Sequence, residues 1–560
     1  MEVVSKTNSI KWRIPFFLSL IIILGLSIRF YNFPSDIPIV TDGFFSFVYA
    51  VKTTFDGNLP TGYAATNTGW ANVLSLIFWL VDKSDPMHIM NIQRIASIVI
   101  SALTIIPAYA IFRKFTNSKL SLLGCILIVV EPRLLLISLE GINYTLYFFL
   151  FVSSIALFLH RTNLSLIFCF ICLSFGILVR YEALLMIVPF TIMYFIKMRD
   201  KKSILRFCLL IGIMALILIP IGTYRIQETQ NNCNENVIVG KTCGEDGVLS
   251  TYFSNLTFIK NQFISGDDTI EIGSQESIPT QEQQTENYDK SISYFGSLTK
   301  FLKFMGLMLL PFFIFFLALN IITRLKNNQK FQINFNHATL FFVSGITLLP
   351  AIYAYARGID EIRYVLVCIL LVSVFSISFS KYFSQKIEQN KKIFVSLIIF
   401  SIIFSIWFIE VEKRDHVFDM ESFNISKKII SLTDITNAYD NAGYVKTAIL
   451  FKEWPELPKA NLINGKLDSS FQKISTKNFT TIDEFIIHSK ETGLKIFVVD
   501  KNERLFDELR KNPDAYPYLE MIFDSKNDRY QNEFLIFEIN FQKFFLLLLF
   551  SKNKMVYLLL

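Results

Sequence analysis

Apolar runs long enough to cross a bilayer recur through the first 410 residues, separated by short polar or basic interruptions, and then cease. A helix needs about 20 apolar residues to span the hydrocarbon core, and fewer where it is recessed within protein. By that measure eleven spans are predicted, at Ile14 to Phe33, Ile95 to Phe112, Leu120 to Leu139, Ile142 to Leu159, Leu164 to Val179, Ala183 to Ile196, Ile204 to Ile221, Phe301 to Ile322, Ala338 to Tyr355, Ile362 to Phe379 and Ile393 to Ile409. The run Ala71 to Val81 is too short and is assigned to the first loop. The first span lacks the small-residue cleavage pattern of a signal peptide and is expected to be retained. Between it and the second lies an interruption in which Asp42 precedes Phe44, Phe45, Phe47, Tyr49 and Phe55, interleaved with Ser46, Lys52, Thr53 and Thr54. That mixture predicts a helix lying in the membrane interface rather than crossing it.

After Glu410 the pattern shortens. A helix starting near Thr481, capped by Thr480 or Thr481, precedes a strand at Leu494 to Val499; a second helix, Glu503 to Lys511, is stopped by Pro513. Further strands are expected at Met521 to Phe523 and Phe534 to Phe537, an alternation of the kind that builds a βαβ sheet. The organisation that follows is a membrane domain over 1–410, a small α/β domain over 411–540 and an apolar tail over 541–560, whose runs are too short to span. Within the membrane domain the interruptions at 34–94 and 223–300 form the large loops. The second is rich in Asn, Gln, Glu, Ser and Thr, and the run Gly273 to Tyr288 has almost no apolar content, as expected of a disordered segment or a mobile lid.

Composition agrees with the pattern, since 52% of the 560 residues are hydrophobic and mean hydropathy is +0.43. The net charge of +7 resides in Lys and Arg between apolar runs and leaves no single basic patch, which excludes nucleic acid as a partner. Lys6, Lys11 and Arg13, then Arg113, Lys114 and Lys119, then Lys197 to Arg206, Arg324 to Lys330 and Lys381 to Lys392 all fall on one side of an eleven-span chain. The positive-inside rule makes that side the cytoplasm and puts both large loops and everything after Glu410 outside it. Three sequons, at Asn255, Asn424 and Asn478, fall on the external side. Cys125, Cys169, Cys172, Cys208 and Cys368 lie in apolar runs, as small buried hydrophobes do; Cys233 and Cys243 share an external polar loop and are the disulfide candidate.

Ionisable groups at membrane depth are costly and call for a reason. The first is Asp42, which either caps the interfacial helix beginning at Gly43 or presents a carboxylate at the water boundary. The second is the stretch from Glu131-Pro132-Arg133, read as an ion pair holding a proline-induced kink, to Glu140, Asn143 and Tyr144 at the external boundary. The third is Arg180-Tyr181-Glu182, between two short helices, which predicts a recessed hairpin whose turn is sunk inside protein. The fourth is the charged knot Arg357 to Tyr364, carrying Arg357, Arg363 and Tyr364; a salt-bridged loop explains it equally well taken alone. Carboxylates able to remove a proton, beside arginines whose forks match a phosphate, describe an enzyme acting on a phosphate-bearing lipid.

Asp42, the run Phe44 to Ala50, the Gly57-Asn-Leu-Pro60 turn, Gly69-Trp70, Ser138 to Tyr147, Arg180-Tyr-Glu182 and Arg363-Tyr364 resemble the GT-C membrane glycosyltransferases. Among these the chain is most similar to the branch of protein O-mannosyltransferases and aminoarabinose transferases. The resemblance implies a polytopic GT-C fold with an extracytoplasmic C-terminal α/β domain. It also implies transfer of one sugar, with inversion, from a polyprenyl or dolichyl phosphate to a protein, lipid or glycan acceptor on the extracytoplasmic face of the cell membrane. Asp42 takes the general-base role, Glu140 that of a second carboxylate, and Arg180, Arg357 and Arg363 face the carrier phosphate; Glu182, Tyr364, Tyr144, Asn143 and Lys52 complete the expected substrate contacts. No cofactor is required. A divalent metal held by adjacent acids, found in many members, lacks its second ligand because Gly43 follows Asp42. The WWDYG signature of oligosaccharyltransferases is absent. A lipid-linked-sugar flippase is the alternative, against which stand the absence of an internal repeat and the large external domain; a non-catalytic assembly protein would leave the charges at membrane level unexplained.

Overall fold

The computed structural model describes residues 2–57, 67–231, 294–309, 318, 321–322, 334–356, 361–378, 391–412, 415–432, 444–454, 479–500 and 504–557. They fall into two compact units. The first comprises Met1–Phe33, Tyr49–Val81 and Asn91–Lys413, and the second Pro34–Val48, Asp82–Met90 and Arg414–Leu560. Parts of the first loop thus cluster with the C-terminal residues, and the division falls inside two helices.

The first unit is helical. Its elements begin with α1 (Glu2–Tyr31), the later part of α2 (Thr41–Asp56), α3 (Gly69–Trp79), the later part of α4 (Pro86–Leu103), α5 (Ile105–Phe112), α6 (Ser118–Val129) and α7 (Pro132–Leu139). They continue with α8 (Tyr144–His160), α9 (Asn163–Val179), a 3-10 turn (Tyr181–Met186), α10 (Ile187–Lys197) and α11 (Ser203–Asn231). After the second loop come α12 (Tyr294–Leu309), α13 (Phe335–Thr347), α14 (Leu349–Ala356), α15 (Cys368–Ser378) and α16 (Lys391–Glu412). Among the described residues five helical stretches are long and apolar enough to cross a membrane: Ile14–Tyr31, Pro86–Phe112, Ser203–Thr223, Phe335–Ile352 and Val395–Leu432. A sixth is α6 with α7 taken together, bent by 48°. The helices expected over 142–159 and 164–179 are present but only 17 residues long each, and the 183–196 element is divided between the 3-10 turn and an 11-residue α10. Such lengths suit helices packed inside a bundle better than lone spans.

The bend between α6 and α7 has a readable cause. Pro132 cannot donate to the helix behind it, so the ladder breaks and carbonyls near Val129 lose their partners. Arg29 of α1 supplies one: its guanidinium, 1% exposed, donates to Val129 O at 3.0 Å, and also to Gly25 O, Ser101 Oγ and Ser138 Oγ. Glu131 and Arg133 pair across the break at 3.4 Å, both buried, with the guanidinium over the Phe408 ring. The pair expected to hold the kink is there. Arg29 holds it as well, and its place inside an apolar run, in the last turn of α1, was the signal, since an intramembrane arginine needs acceptors.

The second unit carries α17 (His416–Leu432), α18 (Tyr444–Glu453), α19 (Ile482–Thr492), β1 (Ile496–Val499), the short α20 (Asp507–Lys511), β2 (Leu519–Asp524), β3 (Leu535–Ile539) and α21 (Phe541–Tyr557). Thr481 caps α19 as expected, in a reciprocal box with Glu484, whose carboxyl is held below its usual range by the Thr480 N–H and hydroxyl. The sheet corrects the expected βαβ arrangement. Its order is β1-β3-β2 and every pairing is antiparallel, with a bulge between Met521 and Phe523. β1 and β2 run the same way, as a crossover through α20 requires, but β3 lies between them. The link from β2 to β3 is too short for a crossover, and Arg529 turns it in the left-handed region at φ 61°. Phe485, Phe497, Phe506 and Phe537, each at most 1% exposed, form the core, with successive ring centroids 5.1–5.8 Å apart. Glu421 of α17 pins the β2–β3 link by accepting from the Gln531 and Asn532 backbone N–H groups at 2.7 and 2.9 Å. Asn424 lies in the middle of that helix, half-buried. The tail is tied down too, since Phe544 of α21 packs into the same core.

Candidate active site

The functional side chains of the first unit converge on a buried turn. α9 ends at Arg180, whose extended backbone (φ −150°, ψ 122°) hands the chain to the 3-10 turn. Arg180 Nε lies 3.2 Å from both carboxylate oxygens of Glu182, and its NH2 donates to Oε1 as well. The pair is buried, with side chains 10% and 7% exposed, so the predicted recessed hairpin is present. A carboxylate gripped at two points fixes the plane of the guanidinium. That plane lies over the Tyr144 ring, with Cζ 3.9 Å from its centroid.

Tyr144 opens α8, directly after a turn in which Gly141 has φ +70°. Its ring meets Tyr364 edge-on at 6.3 Å, and the Arg363 guanidinium stands 5.5 Å from it on the 3-10 segment Ile362–Val365. Arg363 pairs with Glu361. Two arginines, each oriented by its own carboxylate, thus flank one tyrosine. Tyr144 is 3% exposed and its hydroxyl has no hydrogen-bond partner among the described residues. A small cavity there is lined by Tyr144, Tyr147, Arg180, Glu182, Arg363 and Tyr364 together with Thr347 and apolar residues. A buried hydroxyl without an acceptor, on a ring that lines such a cavity and is flanked by two cations, is a donor awaiting an acceptor.

The first loop holds these turns in register. Asn67 Oδ1 accepts the Tyr181 N–H at 3.2 Å, and Gly69 lies so near the end of α9 that a Cβ would come within 2.7 Å of the Leu178 carbonyl carbon and the Val179 nitrogen. Trp70 Nε1 and Gln93 Nε2 both donate to Gly141 O, at 2.9 and 2.8 Å, securing the turn that presents Tyr144. Gly69-Trp70 was legible as a motif; its partners were not, because hydrogen bonds to backbone carbonyls leave no mark in a sequence.

The remaining expected residues are placed differently. Asn143 is half-exposed beside Tyr144 and makes no side-chain cap. Glu140 is exposed at the end of α7. Lys52 is half-buried on α2. Asp42 belongs to the second unit and lies in the first turn of α2, which starts at Thr41, so it is a first-turn acid rather than the cap of a helix starting at Gly43. Arg357, Cys233 and Cys243 lie outside the described residues. Among the described residues no group of three His, Cys, Asp or Glu side chains converges as metal ligands would, and with Gly43 after Asp42 the residues present do not fit a metal bridged by adjacent acids.

Residues 87–224, about a quarter of the chain, match the family model described as dolichyl-phosphate-mannose-protein mannosyltransferase. This segment runs from α4 to α11 and contains both Tyr144 and the Arg180–Glu182 turn. Over that quarter of its length the chain is similar to this mannosyltransferase family. No curated protein sequence matches it. Among solved structures, the chain is similar to the oligosaccharyltransferase AglB of Archaeoglobus fulgidus in complex with an inhibitory peptide and a dolichol-phosphate, at 11% identity and TM-score 0.49, over 91% of this chain and 73% of that one. The apo form of the Archaeoglobus fulgidus oligosaccharyltransferase matches at 10% identity and TM-score 0.47, over 88% and 70%. ArnT of Cupriavidus metallidurans in the apo state matches at 9% identity and TM-score 0.38, over 95% and 98%. With TM-scores below 0.5, these three likenesses assign nothing to this chain's residues.

Proposed function

We propose that this protein is a membrane glycosyltransferase that moves a single sugar, with inversion, from a polyprenyl phosphate of the dolichyl kind to an acceptor hydroxyl on the extracytoplasmic face. The observation that carries the reading is the unpartnered Tyr144 hydroxyl beside the Arg180 and Arg363 guanidiniums. A phosphate oxygen supplies the acceptor that this hydroxyl lacks, and the two guanidiniums supply the positive field. The carboxylates keep both forks fixed, so little reorganisation is needed as the leaving phosphate gains charge.

In the reaction the acceptor oxygen attacks the anomeric carbon as the bond from that carbon to the phosphate oxygen breaks. The phosphate leaves on its lipid carrier with the bonding electrons. The proton of the acceptor goes to a carboxylate, the role we give to Asp42. Glu140, being exposed, is the second choice.

Proteoliposomes holding the full chain and a series of lipid-phosphate-linked sugars test the reading. Appearance of sugar on an added acceptor supports it; movement of the intact donor across the bilayer without transfer makes the protein a flippase instead. Orientation is checked separately. A cysteine replacing exposed Glu491 in a cysteine-free background is expected to react with an impermeant maleimide in intact cells. Reaction only after lysis would turn the protein over in the membrane.

A further inference from the structure

The helices that bring Tyr144 and Arg180 together also bring a second set of cations together at their other ends. α8 has 17 residues and is therefore about 25 Å long. It ends at Arg161, which adopts the left-handed region at φ 66°, a conformation that favours glycine. The Arg161 guanidinium lies over the Phe335 ring, 4.5 Å from its centroid, and donates from NH2 to Asn336. Lys197, the last residue of α10, places Nζ 5.8 Å from the same ring. Among the described residues neither cation meets a carboxylate, and Arg161 Nε is buried without an acceptor. His337, in the same turn as Phe335, is committed to Asn334 and packs against Phe115, so it belongs to the floor of the cluster.

We propose that Arg161 and Lys197 bind the phosphate headgroup of an anionic membrane phospholipid at the end of the bundle opposite Tyr144. The level is right, because Phe335 begins a helix long and apolar enough to cross a membrane. The surroundings suit acyl chains: Leu164, Ile196 and Phe341, on the three helices that meet there, are exposed by 64, 50 and 63%. Arginine and lysine at a membrane boundary commonly serve only orientation, and such residues remain hydrated and mobile. Here the guanidinium is stacked and hydrogen-bonded in place on a backbone conformation that costs energy for a side chain, which pre-organises it for an oxyanion.

The full chain, stripped of lipid in a neutral detergent, is titrated with phosphatidylglycerol or phosphatidylcholine and the bound lipids are counted by native mass spectrometry. Phosphatidylglycerol is expected to bind at least about tenfold more tightly, and an Arg161→Gln, Lys197→Gln double variant to lose about ten- to thirtyfold of that affinity, the worth of two cations near a bilayer surface. An Arg113→Gln, Lys114→Gln variant, which removes two exposed charges after α5, is expected to keep it. Lys197→Gln alone, at an exposed position, carries the test if the double variant does not fold. Equal binding of the two lipids, an equal loss in the Arg113 and Lys114 variant, or displacement of the phospholipid by millimolar inorganic phosphate would each overturn the proposal.

Discussion

Asp42→Asn is expected to leave the protein inserted, folded and able to bind its lipid-linked donor, yet to slow sugar transfer at least about a hundredfold, the lower end of what loss of a general base costs. The substitution is nearly isosteric and keeps an oxygen able to accept hydrogen bonds in the first turn of α2. It removes only the capacity to take a proton. Single-turnover transfer from a radiolabelled donor, alongside donor binding on the same preparation, separates chemistry from affinity. Transfer at the normal rate by a folded Asp42→Asn protein would move the base elsewhere, with Glu140 next to be tried. Loss of folded protein would show instead that the carboxylate serves α2, where a negative charge near the helix N-terminus is favourable.

Arg180→Met is expected to destabilise the protein by about 3–5 kcal/mol, because it strands the buried Glu182 carboxylate without its partner. The double variant Arg180→Met, Glu182→Leu removes both charges and is expected to regain most of that stability. Donor binding gives the opposite pattern: if the Arg180 guanidinium grips the carrier phosphate, the double variant folds but binds the donor weakly. Thermal unfolding in detergent reads the first quantity, and retention of a dolichyl phosphate in native mass spectrometry reads the second. Wild-type donor affinity in the double variant would reduce Arg180 to a structural ion pair and leave Arg363 as the phosphate ligand.

What the sequence disclosed followed from how local each signal was. The cap at Thr481, the stop before Pro513, the kink at Pro132 and the recessed Arg180-Tyr-Glu182 turn each depend on residues within a few positions of one another, and all four are present. The alternation of helix and strand after Thr481 was legible too, but not the sheet order, since a three-stranded sheet can place its last strand at an edge or in the middle without changing any strand's pattern of burial. In the site, the charged and aromatic residues were readable as costly at membrane depth. That Tyr144 would lie between Arg180 and Arg363, drawn from segments more than 180 residues apart, was not, because stacking across helices depends on packing that periodicity does not encode. The resemblance supplied Asp42 its role; the helix around it supplies only its position.

The central place of β3 bears on how the C-terminal unit comes into being. β1 and β2 share no hydrogen bonds with each other, so nothing joins them until β3 arrives. β3 is the last of the three to be synthesised, and the ring core needs its Phe537. Domains generally fold as units in the order in which synthesis completes them. On a ribosome feeding a membrane insertion channel, this unit therefore waits, with α19 and β1 exposed as an unpaired apolar helix and strand, until residues beyond 539 have emerged. A chain interrupted anywhere between β2 and β3 would keep its helical unit and lose its sheet altogether, leaving the Phe485, Phe497 and Phe506 rings for a chaperone or a protease.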